Sequence, residues 1–196
     1  MIEHTSEQRL IAACQADDRE AFRELFEAYQ GRVWSIAVHF TGEENAARDI
    51  TQQVFLKLFS SIKQFRWEAS FTTWLYRLVT NVCLDEQRRR RRFISFDFWR
   101  RDDEEDEQSG LDWQQAQQFQ RTLQEERYTQ AEMAAVVKAA VKELSPPIRL
   151  TVLLKYFEEL SYDEIARVLG CSPGTVASRL NRGHKALAAR LAHLRD

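Results

Sequence analysis

The chain has 196 residues, 44% of them hydrophobic, and a formal net charge of −2. That length suits one ordinary domain or two small ones, with enough apolar residues for a packed core. No apolar run approaches the roughly twenty residues of a membrane span, and the acid-containing N-terminus lacks the apolar stretch of a signal peptide, so a cytoplasmic protein is expected.

The charge is unevenly spread: residues 1–92 carry a net +1, residues 93–131 a net −6 and residues 132–196 a net +3. Two neutral or basic segments flanking an acidic one predict two domains and a connector. Cys14, Cys83 and Cys171 lie far apart, outside any C-x-x-C pair, and the histidines do not cluster with them. Such spacing supports neither a disulfide framework nor a metal site, and three reduced thiols are expected, with no metal and no cofactor.

With six glycines and three prolines, and almost no alternating pattern, nearly everything reads as helix. Ala21, Phe22, Leu25, Phe26, Tyr29, Val33, Trp34 and Ala37 recur at helical spacing, with Asp17 and Glu20 as the candidate cap. A second helix is predicted from about Thr41, capped reciprocally by Glu44, with Ile50, Val54, Leu58 and Ile62 on one face. A polar and aromatic stretch over residues 63–69 interrupts the pattern before a long helix from about Ser70 to Arg92.

At 100° per residue that long helix has two separate faces. Phe71, Leu75, Leu78, Val79 and Val82 form a core stripe, while Arg77, Asn81, Leu84 and Arg88 fall on another side. Five arginines at 88–92 complement the helix dipole and can bind phosphate, or simply solubilise the helix end. Phe65 and Trp67 in the preceding loop can stack on unpaired bases or pack in the core, and the residues alone leave both open.

Residues 93–131 read as a loose linker, with the charge run RRDDEEDE and a glutamine-rich stretch. Phe93, Phe96, Phe98 and Trp99 are candidates to dock on a domain or a partner. From about Ala131 the helical pattern returns with Met133, Val137, Val141 and Leu144 on one face. Ser145-Pro146-Pro147 stops that helix and starts one carrying Ile148, Val152, Leu153, Tyr156 and Phe157.

The sharpest pattern follows. Ser161 and Glu164 form a capping box, and Ile165, Ala166 and Leu169 point inward. Gly170-Cys171-Ser172 makes a turn, Ser172 caps the next helix, Pro173 fills its first position, and Val176 and Leu180 return to the core. This is a helix-turn-helix, with a small residue at the crossing and a glycine in the tight turn. Its second helix presents Thr175, Ser178, Arg179, Arg182 and Lys185 outward, where arginine can grip guanine and the others phosphate.

This stretch resembles the C-terminal domain of sigma-70 family sigma factors. The matching residues are Leu144-Ser-Pro-Pro147, Leu160-Ser-Tyr-Asp-Glu-Ile-Ala166, Gly174-Thr-Val-Ala-Ser-Arg-Leu180 and Arg182. Many members carry lysine where Ala177 stands, so one phosphate contact is absent here. The resemblance extends to the N-terminal half. Asp49-Ile-Thr-Gln-Gln-Val-Phe-Leu56 is similar to the segment that docks on core polymerase, and Ser70-Phe-Thr-Thr-Trp-Leu-Tyr76 through Asn81-Val-Cys-Leu-Asp85 to the segment that melts and reads the minus-ten element. The order of parts is that of the extracytoplasmic-function group.

The resemblance implies an all-α protein of two small helical domains: a region 2-like domain over 1–92, an acidic linker over 93–131 and a region 4-like helix-turn-helix domain over 132–196. It implies that Asp49, Gln53 and Phe55 bind core RNA polymerase, and that residues 63–70, with Phe65 and Trp67, capture a flipped minus-ten base. Arg77, Asn81 and Arg88 are then expected on that element, and Thr175, Ser178, Arg179, Arg182 and Lys185 on the minus-thirty-five element. The linker is expected to thread toward the RNA exit path, and an anti-sigma factor is a candidate partner. Promoter DNA is the other expected partner, and no direct membrane insertion is expected.

Competing classes fare worse. An enzyme lacks a nucleophile triad, a metal cluster or a glycine-rich phosphate loop here. A stand-alone repressor would bind duplex DNA as a dimer on two half-sites, without a polymerase. A helical adaptor would need no basic recognition face.

Overall fold

The computed structural model describes residues 4–100 and 130–194, with side chains described over 6–90, 132–192 and at Leu194. Every regular element among them is helical. Residues 101–129, most of the expected linker and all of its acidic run, lie outside the described residues, as do the side chains of Arg91, Arg92, Phe93, Phe96, Phe98 and Trp99.

The first group comprises α1 (His4–Gln15), α2 (Arg19–Thr41), α3 (Glu44–Ser61), a 3-10 turn (Ile62–Gln64) and α4 (Phe71–Arg100). The α4 backbone runs eight residues past the expected end at Arg92. Caps explain the other boundaries. Asp18 rather than Asp17 caps α2, accepting from the backbone N–H of Glu20 at 2.9 Å and of Ala21 at 3.2 Å, while Asp17 takes a left-handed φ of 67°. Thr41 closes α2 instead of opening α3, because Gly42 adopts a left-handed φ of 72° and terminates the helix. The Thr41 hydroxyl is used by the Ala37 carbonyl, 2.9 Å away, and Glu43 begins α3 without a side-chain cap.

Ile11, Leu25, Val33, Ile36, Ala47, Ile50, Val54, Leu58, Ile62, Phe71, Leu75, Val79 and Val82 fill this half's core. The expected stripe of α4 is therefore the packed one, with Leu78 half-buried at its edge. Burial raises the thiol pKa of Cys14 to about 11 and of Cys83 to about 12, so both stay protonated at neutral pH.

The second group comprises α5 (Gln130–Lys142), α6 (Pro146–Tyr156), α7 (Tyr162–Leu169), α8 (Pro173–Arg190) and a 3-10 turn (Ala192–Leu194). Two expectations shift here. Val141 and Leu144 are buried, but Met133 and Val137 are 46% and 42% exposed, so only the C-terminal end of α5 packs. Tyr156 and Phe157 lie at the end of α6 and are exposed. Pro146 and Pro147 occupy the first positions of α6, yet Ser145 makes no side-chain cap bond.

The two groups pack on each other. α7 lies against α4, and α5 and α6 lie against α2, so one continuous apolar core crosses both. The clearest tie is Arg149 on α6, only 7% exposed. It donates from Nη1 to the Phe40 carbonyl at the end of α2 at 2.6 Å, and from Nη2 to the carbonyls of Leu144, at 2.9 Å, and Lys142. Its guanidinium stacks 5.1 Å over the Phe40 ring. A cation among helix C-terminal carbonyls meets the negative end of both dipoles, which favours the buried charge.

Candidate nucleic-acid interface

The helix-turn-helix forms as its sequence dictates. The Ser161 hydroxyl accepts from the Glu164 backbone N–H, and the Glu164 carboxylate accepts from the Ser161 backbone N–H at 2.8 Å, closing the capping box. Those bonds hold the Glu164 carboxyl below the usual range. Gly170 turns the chain with φ 62°. Ser172 then caps α8, its hydroxyl accepting from the Thr175 N–H at 3.1 Å, with Pro173 in the first turn.

Val176, Leu180 and Gly183, at spacings of four and three, form the buried stripe of α8. Gly183 has a packing role that periodicity did not reveal. A β-carbon there would meet Val152 Cγ2 at 3.0 Å and Ile148 Cγ2 at 3.1 Å, so the missing side chain lets α8 approach α6 closely. On the opposite side, Ser178, Arg182 and Lys185 are exposed and Thr175 and Arg179 half-buried. The five follow the helix face over ten residues, about 15 Å of axis. They are brought together as one row that a major groove can admit. The Thr175 hydroxyl pairs with Ser172 at 3.0 Å, and Arg179 Nη1 lies 3.8 Å from Cys171 Sγ.

The candidate minus-ten residues are distributed differently. Phe65 is 6% exposed and packs edge-on against Phe71, with ring centroids 5.6 Å apart. It is a core residue that also walls a cavity. Trp67 is 38% exposed, stacked edge-on over Phe65 at 4.8 Å, and sits at φ 61°. A bulky residue in the left-handed region costs backbone energy and persists because its surroundings hold it there.

Next to these rings lies a cavity of about 230 Å³, lined by Gln64, Phe65, Arg66, Trp74 and Arg77 among others. That is below the usual volume of a drug-sized ligand site. Gln64 and Arg66 belong to the expected loop over 63–70, whereas Trp74 was not legible as a wall residue, because its meeting with them depends on how the loop folds onto α4. Asn81 is exposed about 6 Å along the axis from Arg77, and Arg88 about 16 Å along it. Arg88 pairs with Asp85 at 3.2 Å, while Arg90 is engaged by Glu86 and Glu43, both at 3.0 Å. The expected set is thus divided: Phe65 and Arg77 line the cavity, Trp67 packs on Phe65, and Asn81 and Arg88 lie farther along α4.

On α3, Asp49 is exposed, Gln53 half-buried and Phe55 buried, its ring 4.6 Å from Phe26. Beside them runs an apolar groove of about 450 Å³ whose lining includes Phe22, Phe26, Trp34, Leu56 and Phe59. Leu56 is 61% and Phe59 57% exposed. Exposed large apolar side chains gathered in one place mark an interaction surface. Asp49 lies three and seven residues before the lining residues Gln52 and Leu56, so it borders this groove.

Described residues that are helical throughout, with a loop and long helix in the first half and a helix-turn-helix in the second, define a class of helical DNA-binding protein. Comparison with known proteins is consistent with it. The family described as Sigma-70 region 2 matches residues 25–93, and that described as Sigma-70, region 4 matches residues 134–187. The extracytoplasmic-function sigma factor SigW of Bacillus subtilis is 28% identical over 187 residues, covering 95% of this chain and 97% of its own. The sigma-E factor of Escherichia coli K12 is 28% identical over 190 residues, with 95% of each chain covered. Among solved structures, the sigma factor RpoE of Bartonella quintana, determined with the anti-sigma factor NepR, superposes with a TM-score of 0.63 at 19% identity, covering 87% of this chain and 96% of its own. The chain belongs to the sigma-70 family, in its extracytoplasmic-function group, and is an RNA polymerase sigma factor acting in promoter recognition and transcription initiation.

Proposed function

We propose that this sigma factor divides its work among three surfaces. Core RNA polymerase docks on α2 and α3, where Asp49 borders the groove, Phe55 lines it with Leu56 and Phe59, and half-buried Gln53 is a further contact. The loop over 63–70 and the start of α4 capture and read the minus-ten element, with Phe65 at the cavity and Trp67 packed on its ring, Arg77 and Asn81 on the strand and Arg88 on the backbone. Thr175, Ser178, Arg179, Arg182 and Lys185 read the minus-thirty-five element.

The units are residues 1–92 and 132–196, joined by the acidic segment 93–131. The protein acts in the cytoplasm, performs no substrate chemistry of its own and takes no cofactor. An anti-sigma factor is a candidate partner, as one is for the Bartonella RpoE.

The observation that carries this reading is that one chain presents both the basic row of α8 and the exposed apolar groove of α2 and α3. A lone DNA-binding module has use for the first only. Pull-down of purified core polymerase tests it: Leu56→Asp should abolish capture without changing the fold seen by circular dichroism. Unchanged capture by Leu56→Asp would remove the groove from the polymerase interface.

A further inference from the structure

Helix α1 carries none of the promoter or polymerase contacts assigned above, yet it packs on the 3-10 turn from which the capture loop springs. Gln15, its last residue, is half-buried there. The Gln15 amide Nε2 donates to the Ile62 carbonyl at 3.0 Å and to the Phe65 carbonyl at 2.9 Å. The Ile62 carbonyl also accepts from the Phe65 backbone N–H at 3.1 Å, so the turn is closed from within and strapped from outside. Two residues beyond Gln15, Asp17 pairs with Lys63 at 2.5 Å.

The strapped carbonyl belongs to the residue on which the cavity wall is built. The Phe65 ring lies 4.8 Å from Trp67, 5.3 Å from Trp74 and 5.6 Å from Phe71, centroid to centroid. Between Phe65 and Phe71 the chain has no regular structure, and Trp67 sits in the left-handed region. Such a segment has many conformations close in energy unless outside contacts select one. The far end of the loop is held as well. The Ser70 hydroxyl accepts from the Thr73 backbone N–H at 3.2 Å, and the Tyr29 ring stands edge-on to Phe71 at 5.3 Å. The Tyr29 hydroxyl in turn donates to Glu7 of α1. Helix α1 therefore reaches the loop directly at its start and through Tyr29 at its end.

We propose that Gln15 is a positioning residue for minus-ten recognition: its amide fixes the Ile62 and Phe65 carbonyls, and through them the aromatic wall of the cavity. The inference rests on the assignment of the 63–70 loop as the minus-ten reader. Without the strap the loop samples shapes in which the wall is displaced. Apparent affinity for the element then falls by the fraction of chains with the wall in place. Selectivity falls with it, because the arginines still hold any backbone while the wall no longer selects a base.

The test uses the full chain bound to core polymerase. Gln15→Met keeps the side-chain length and the helix propensity but removes the donor, whereas Gln15→Lys keeps a donor at that place. Fluorescence anisotropy measures affinity for a labelled single strand carrying the minus-ten element of a promoter recovered by run-off transcription. The same strand with the element scrambled is the second probe. Gln15→Met should bind the element on the order of tenfold more weakly, the scale of two lost hydrogen bonds, and the scrambled strand less than twofold more weakly. Gln15→Lys should recover most of the loss, and capture by core polymerase should be unchanged in both.

Equal losses on the two strands, or no loss on the element, would overturn the positioning role, since a general weakening of the fold does not distinguish sequences. If Gln15→Met does not fold, Gln15→Glu, which sets an acceptor against the two carbonyls, takes its place beside Gln15→Lys. Arg77→Ala separates this inference from the reading beneath it. Weaker binding to the element by Arg77→Ala, with none by Gln15→Met, leaves the loop as reader and removes Gln15 from its support. No change with either variant removes both.

Discussion

The helix-turn-helix and the proposed minus-ten region are held in place by different kinds of contact. Around α8 the decisive bonds are three residues apart: Ser161 with Glu164, and Ser172 with Thr175. Around α4 they reach across the chain, from Tyr76 to Glu158 and from Arg77 to Arg167, 82 and 90 residues away. The basic row of α8 is thus shaped by its own sequence. The start of α4 shares its surface with the C-terminal helices instead, so its shape depends on residues far away in the chain.

Substitutions can break that contrast at graded cost. The largest effect is expected at Arg179. If its guanidinium grips a base, Arg179→Ala lowers transcription from the native promoter by about 1–3 kcal/mol, on the order of 5- to 150-fold, and relaxes preference at one position of the minus-thirty-five element. Promoter-variant transcription assays distinguish this from a phosphate contact, which would give equal loss on every sequence.

Gly183→Val should destabilise the fold by about 1–3 kcal/mol, because the added atoms meet Val152 and Ile148 where a β-carbon alone would already be tight. Thermal denaturation measures it, and an unchanged melting temperature would mean that α6 and α8 yield easily. Asp49→Ala should weaken polymerase capture more modestly than Leu56→Asp, since an exposed charge at the rim of an interface contributes less than its apolar centre. Co-purification at full wild-type yield would remove Asp49 from that surface.

The smallest effect is at the capping box. Ser161→Ala should cost about 1 kcal/mol. The Glu164 carboxyl is held below its ordinary range when folded, so its contribution is complete above the usual glutamate pKa and is lost as pH falls through the lowered value. Thermal melts from pH 7 to pH 3 should therefore show wild type losing an increment that Glu164→Gln lacks throughout. Parallel pH curves for the two would contradict the box as a source of stability.

The same contrast explains what the sequence made legible. The turn at Gly170, both serine caps and the buried Val176 and Leu180 are local signals, and each falls where its residue type predicts. The stripe of α4 is legible because 3.6-residue periodicity separates Phe71, Leu75 and Val79 from Arg77 and Asn81. Boundaries between competing caps are less so. Asp17 and Asp18 differ by one residue, and only the left-handed turn at Asp17 decides for its neighbour.

Features that depend on distant partners escaped. Met133 and Val137 obey the helical period of α5, yet nothing covers them among the described residues except near Val141 and Leu144. Arg149 reads as an ordinary surface charge until the end of α2 is brought to it. Leu56 and Phe59 were not singled out on α3, because an exposed apolar face has the same periodicity as a buried one. Trp74 joins the cavity wall only when the loop after the 3-10 turn folds back.

Run-off transcription with purified core polymerase on a fragmented genomic library tests the central claim most directly. The account predicts discrete transcripts that depend on this chain and start downstream of two shared elements, the upstream one lost when Arg179 and Arg182 are replaced by alanine. Transcripts no different from those of core polymerase alone, with tight binding of this chain to isolated duplex sites instead, would contradict it.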